Sequence, residues 1–203
     1  MKREIRSMTL ELRALEPTED AVIRFEGYAA IFNERSQVLC NPFTGRRFVE
    51  VIKPGAFSET IVEDDIRSLY NHDPNFVLGR NKANTLHLSE DERGLFYTVE
   101  APDVQWARDL HKSVKRGDVN QCSFAFAVIE DEWQTVDEVE ERTLIKVKLF
   151  DVSIVTYPAY HGSEVSARSA SEVLDEHLNR KPKSNPNSLL RQKLDLKERE
   201  VRL

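Results

Sequence analysis

Apolar and polar residues alternate through most of the first 157 positions of this chain. Runs with the two-residue period of half-buried strands cover MTLELRAL (8–15), VIRFEGYAAIF (22–32) and FVEVI (48–52). Successive side chains of a strand point to opposite faces, so each run predicts one face on a core. IRSLYN (66–71) predicts a further strand, and TLHLSEDERGLFYTVEA (85–101) predicts two, joined by a turn from Asp91 to Gly94. QCSFAFAVIEDEW and RTLIKVKLFDVSIVTY (142–157) complete the set, the second being long enough to bend or break near Phe150.

Helical periodicity is scarcer. KPGAFSETIVED spaces Ala56, Ile61 and Val62 after Pro54, which predicts a short helix. DVQWARDLHKSVKRGD predicts a longer one, with Asp103 as N-cap, Val104, Ala107, Leu110 and Val114 on one face, and Gly117 as the stop. NERSQVLCNPFTGRR reads as a long irregular connection. After about residue 170 the alternation ends: KPKSNPNS (181–188) has the composition of a linker, and LLRQKLDLKEREVRL suits a helix that forms only on a partner. The expected division is one folded domain at 1–170 and a polar linker and tail at 171–203, the tail being a targeting helix or a segment removed by autolysis.

With 203 residues the chain has length for one substantial core and a small appendage. Its net charge of −6 is uneven: from Glu172 onward eight Lys/Arg face six Asp/Glu, leaving −8 on the rest. A domain this acidic repels phosphates, so no nucleic acid partner is expected. No stretch approaches the roughly 20 apolar residues that span a bilayer, so no membrane partner is expected either. Cys40 and Cys122 lack a framework or metal-ligand spacing, which suits a reducing interior. The histidines show no HExxH spacing and no Gly-rich phosphate loop is present, so no metal or other cofactor is expected.

Three residues ask for a chemical explanation. Ser123 shares a strand face with Ala125 and Ala127, whose small side chains leave space over its hydroxyl; close packing of another element is the ordinary explanation of such a serine. The alternation of a strongly apolar run places Asp151 on one face with Val147, Leu149, Ser153 and Val155, where an unpaired carboxylate costs several kcal/mol unless it faces water or the strand bends. His72 stands where a strand gives way to a turn begun by Asp73-Pro74, a place for a presented side chain or for a turn cap. A base, a hydroxyl and a carboxylate are the parts of a nucleophilic hydrolase, although spacing alone does not bring them together.

The order of several segments resembles the tailed-phage prohead maturation proteases, whose fold is similar to that of the herpesvirus assemblins. FEGYAAIFN, EVIKPGAFSETI, LYNHDPNFVLGR, the hairpin ending in GLFY, RGDVNQCSFAFAV and LFDVSIVTYPAY carry the resemblance across roughly residues 8–168. It implies a mainly β, α+β fold: a closed, mostly antiparallel, assemblin-like barrel wrapped by helices. It implies His72 as base, Ser123 as nucleophile and Asp151 as third member, with His161 a competitor for that last role, since assemblins use a second histidine there. Cys122 is a rival nucleophile on the opposite strand face. The implied partners are the major capsid protein with its scaffolding segment, or a separate scaffold, and a second copy of the chain in a weak dimer. The implied setting is the host cytoplasm, inside the precursor capsid, with self-cleavage and with oxyanion donors in the YPAYHG loop (157–162). The alternative is an inactive assembly or scaffold-binding factor on the same barrel.

Overall fold

The alternating runs fold into strands of two sheets. The computed structural model describes residues 3–8, 12–16, 22–40, 47–157 and 177. All elements below belong to the first of two units, Met1–Ser171 and Glu172–Leu203. In chain order they are β1 (Glu4–Met8), β2 (Leu12–Ala14), β3 (Ile23–Ile31), β4 (Leu39–Cys40), β5 (Arg47–Ile52), α1 (Thr60–Glu63), β6 (Arg67–Tyr70), β7 (Asp73–Arg80), β8 (Leu86–Glu90), β9 (Gly94–Ala101), α2 (Gln105–Arg116), β10 (Gln121–Val136) and β11 (Val139–Val155). The tail expected at 171–203 lies outside the described residues except for His177.

The larger sheet runs β1-β10-β11-β5-β4, and β11 also carries β6, which pairs with β7. Its axis is the antiparallel ladder of β10 and β11. β11 then lies parallel to β5 along one stretch and parallel to β6 along another, so β11 collects strands from distant parts of the chain. The smaller sheet runs β2-β3-β9-β8. Phe25, Leu95, Tyr97 and Val99 from this sheet share one core with Phe124, Phe126, Leu144 and Leu149 from the other. Each such side chain contributes about 1.5–3 kcal/mol through burial.

A closed barrel was expected, and the strand pairing corrects it. Among the described residues no ladder joins the smaller sheet to the larger one, and neither closes on itself. The two are joined by side-chain packing, with the Tyr97 hydroxyl 3.3 Å from Cys122 Sγ across the gap. Among the described residues no helix is long and apolar enough to cross a membrane.

Helix ends also differ from expectation. α1 starts at Thr60, after turns that occupy the stretch following Pro54. α2 does stop at Gly117, which takes a left-handed φ of +84°, but Asp103 makes no N-cap bond and instead pairs with Arg108. On the buried face of α2, His111 donates from Nε2 to the Leu15 carbonyl at 2.7 Å and meets the Phe25 ring edge-on. That histidine ties the helix to the end of β2.

β1 is held to the larger sheet by buried charge. Arg6 Nε donates to Glu50 Oε1 at 2.8 Å and Arg6 Nη2 to Glu4 Oε2 at 2.7 Å. Arg142 Nη1 reaches Glu4 at 3.0 Å and Glu50 at 3.2 Å, while its Nε binds Asp131 at 2.6 Å. Burial pushes both guanidinium groups toward losing their protons, but Glu50 and Glu4 outweigh it and leave the two arginines more basic than usual. Removing one member of such a cluster leaves uncompensated charge in the interior. Arg142→Met is therefore expected to destabilise the fold by about 3–5 kcal/mol, read as a fall in the urea midpoint at unchanged slope.

Candidate active site

Ser123 owes its position to strict alternation in β10. Cys122, Phe124 and Phe126 enter the core, so Ser123 and Ala125 occupy the opposite face, which is also buried. Directly across the ladders from Ser123 stand Ser153 of β11 and Ser7 of β1.

Asp151 reaches the same face because β11 breaks its alternation once. Ala125 pairs with Asp151 and Phe126 with Leu149, so Phe150 is an extra residue, a bulge, at the bend expected there. Before the bulge Val147 and Leu149 face the core; after it Val152 and Ile154 do, and Asp151 and Ser153 turn to the Ser123 side. The expectation that Asp151 shares a face with Val147 and Leu149 is thus corrected. An uninterrupted strand would have put the carboxylate into the hydrocarbon interior.

His72 is presented by a two-residue hairpin. Tyr70 pairs with Asp73, so the turn is Asn71-His72 and β7 begins at Asp73, where a turn had been expected. Both turn residues are left-handed, with φ of +54° and +57°. That matches the right-handed twist of the flanking strands, although neither residue is the glycine that adopts it without cost. Asn71 secures the turn to the end of β11: its backbone N–H donates to the Ile154 carbonyl at 2.9 Å, and its side-chain Oδ1 accepts from Thr156 N at 2.9 Å. At the far end of the hairpin Arg80 grips Asp65 with two bonds of 2.7 and 2.8 Å. The Arg80 bond, with Arg67 alongside, holds the Asp65 carboxyl down at about 2, so this exposed clamp persists above that pH and is lost as pH falls through it.

These three elements bring His72, Ser123 and Asp151 into one line. His72 Nε2 lies 2.6 Å from Ser123 Oγ, and His72 Nδ1 lies 2.6 Å from Asp151 Oδ1. Two donors outside the line hold the carboxylate: Ser153 Oγ donates to Asp151 Oδ1 at 2.7 Å, and Arg3 Nη2 to Oδ2 at 2.5 Å. Arg3 also lies over the ring of Phe150, the bulged residue. Because a carboxylate only accepts, Nδ1 carries the proton in that bond, which leaves the Nε2 lone pair toward Ser123. Ser123, Asp151 and Ser153 are buried, and of the three residues in line His72 alone shows appreciable surface.

The sequence profile of the caudovirus prohead serine proteases matches residues 8–176, a span that contains all three residues. The chain belongs to this family. It is a phage capsid maturation protease of the serine class. Among solved structures, the bacteriophage T4 capsid assembly protease, gp21, is similar with a TM-score of 0.49 and 9% identity, over 76% of this chain and 97% of that one. No curated protein matches.

In this prohead protease Cys122 is placed against any nucleophilic part. It lies wholly in the core, and burial raises its thiol to about 11 despite the Tyr97 hydroxyl beside it. A thiol that stays protonated at neutral pH and faces away from His72 is inert. Cys122→Ala is expected to cleave at the wild-type rate and to lose about 1–2 kcal/mol of stability through a small cavity and an unpaired Tyr97 hydroxyl. His161 and most of the YPAYHG loop, from Pro158 onward, lie outside the described residues. Ser7 and Arg3 had no signal in the sequence, because only the pairing of β1 with β10 carries them to the site.

Proposed function

We propose that this protease is the endopeptidase that cuts the scaffolding segment of the major capsid protein, or a separate scaffold, and itself, inside the precursor capsid. The observation that carries the proposal is the continuous line from Asp151 through His72 to Ser123, with both links at 2.6 Å. A lone pair of Ser123 Oγ forms the bond to the scissile carbonyl carbon, the hydroxyl proton passes to His72 Nε2, and the carbonyl π pair moves onto oxygen. As the tetrahedral adduct collapses, the C–N bond breaks and His72 returns the proton to the leaving amine. Water, deprotonated by the same Nε2, then releases the acyl group and restores Ser123 Oγ–H. Asp151 keeps the imidazole in the useful tautomer and stabilises the imidazolium formed on the way. The residues need no cofactor for this chemistry.

In this reading the tail after residue 170 tethers the enzyme to its substrate during assembly in the host cytoplasm, and a weak dimer is the working state. The test is incubation of the purified chain with its cognate capsid protein, followed by mass spectrometry of the products. New termini in the capsid protein's scaffolding segment are expected. A capsid protein left intact under conditions that assemble precursor capsids would falsify the proposal in favour of a non-catalytic assembly role.

A further inference from the structure

We infer that Ser7 of β1 is a fourth catalytic residue, a hydroxyl donor to the attacking oxygen of Ser123. The inference rests on the proposed roles of Ser123 and His72. Ser7 and Ser123 are directly opposed in the β1–β10 ladder, and Ser7 Oγ donates to Ser123 Oγ at 2.9 Å. Side chains opposed across an antiparallel pair stand on the same face, so the register itself aims one hydroxyl at the other.

Proton accounting assigns the roles. A serine hydroxyl has one proton and two lone pairs. The proton of Ser123 has two acceptors within reach, His72 Nε2 at 2.6 Å and the Arg6 carbonyl at 2.9 Å. The imidazole nitrogen is nearer and far more basic than an amide oxygen, so it takes the proton. Ser7 fills one lone pair and leaves the other for the carbonyl carbon. As the proton moves to Nε2, negative charge grows on Ser123 Oγ, and the Ser7 O–H bond strengthens against it without transferring its own proton. The same bond stabilises Oγ as the leaving oxygen when water releases the acyl group.

β1 is built to keep that donor in place. Ser7, and Arg3 just before the strand, contact Ser123 and Asp151, while Glu4 and Arg6, facing the other way, are locked into the buried cluster with Glu50 and Arg142. Sliding the strand by one residue would move charges out of that cluster and Ser7 off the nucleophile together.

The experiment compares Ser7→Ala, Ser7→Thr and Ser7→Val, the last two nearly isosteric and both suited to a strand. Two rates are read in the full chain: kcat for peptide cleavage, and phosphonylation of Ser123 by a fluorophosphonate, which requires no peptide binding. Loss of the hydroxyl in Ser7→Ala and Ser7→Val is expected to lower both rates about ten- to a hundred-fold at unchanged KM and unchanged thermal midpoint, with Ser7→Thr within about threefold of wild type. Equal rates in the Thr and Val variants, or a faster enzyme in Ser7→Ala, would overturn the role. Labelling that persists in Ser123→Ala would instead show that the nucleophile itself is wrong, and both readings would fall together.

Discussion

Ser123→Ala is expected to leave a folded chain whose cleavage of the capsid protein and of itself has fallen by roughly a million-fold. The size follows from the hydroxyl's position at the end of the hydrogen-bonded line: without Oγ, no atom on that strand face can form the acyl bond. Folding should survive because Ala125 already shows that a methyl group fits this face, and the buried side of the strand, Cys122, Phe124 and Phe126, is untouched. The lost partners of Ser7 and His72 cost about 1 kcal/mol. Intact mass of the product mixture, with urea unfolding of the same sample, checks both halves. Cleavage near the wild-type rate would remove Ser123 from the mechanism.

Asp151→Asn is expected to slow cleavage by about ten-thousand-fold while the protein still folds. The reason lies in who contacts position 151. Arg3 has donors only, so it draws the amide oxygen of the new side chain toward itself and turns the NH2 toward His72 Nδ1 and Ser153. Nδ1 must then accept, the ring proton is forced onto Nε2, and Nε2 has no lone pair for the Ser123 proton. Adding Arg3→Ala frees the amide to flip and should restore part of the rate, an outcome that simple loss of charge does not produce. If His161→Ala proves the severe variant and Asp151→Asn the mild one, His161 is the third member.

β3 and β10 were legible because their inward residues are apolar and alternate, as in Ile23 and Phe25 of β3 and Cys122, Phe124 and Phe126 of β10. β1 escaped for the opposite reason: its inward residues are Glu4 and Arg6, so hydropathy along the strand has the wrong sign. Only the partners Glu50 and Arg142, 44 and 138 positions from Arg6 and Glu4, make that strand intelligible. The turn was read two residues late because Asp73-Pro74 is a strong turn signal, whereas the two residues that make it, Asn71 and His72, pay for left-handed backbone with contacts to β11. His72, Ser123 and Asp151 were singled out by residue type and by family resemblance; that they meet depends on pairings between strands far apart in sequence, which periodicity does not encode. Sheet closure is the same kind of quantity.

The bulge at Phe150 makes pairing register, rather than residue identity, the controlling variable in this stretch of β11. Almost any side chain at 150 preserves the arrangement, since what the sheet uses is the extra backbone unit. Pairing Phe150 into the ladder, with no residue left over, would run the alternation of Val147 and Leu149 straight through, turning Val152 and Ile154 toward His72 and the carboxylate toward the core. Every chemical group of the site would still be present in the chain, yet the site would be inside out. A three-nucleotide deletion at that codon, by contrast, would leave Asp151 directly after Leu149 in plain alternation and keep the carboxylate on the Ser123 face.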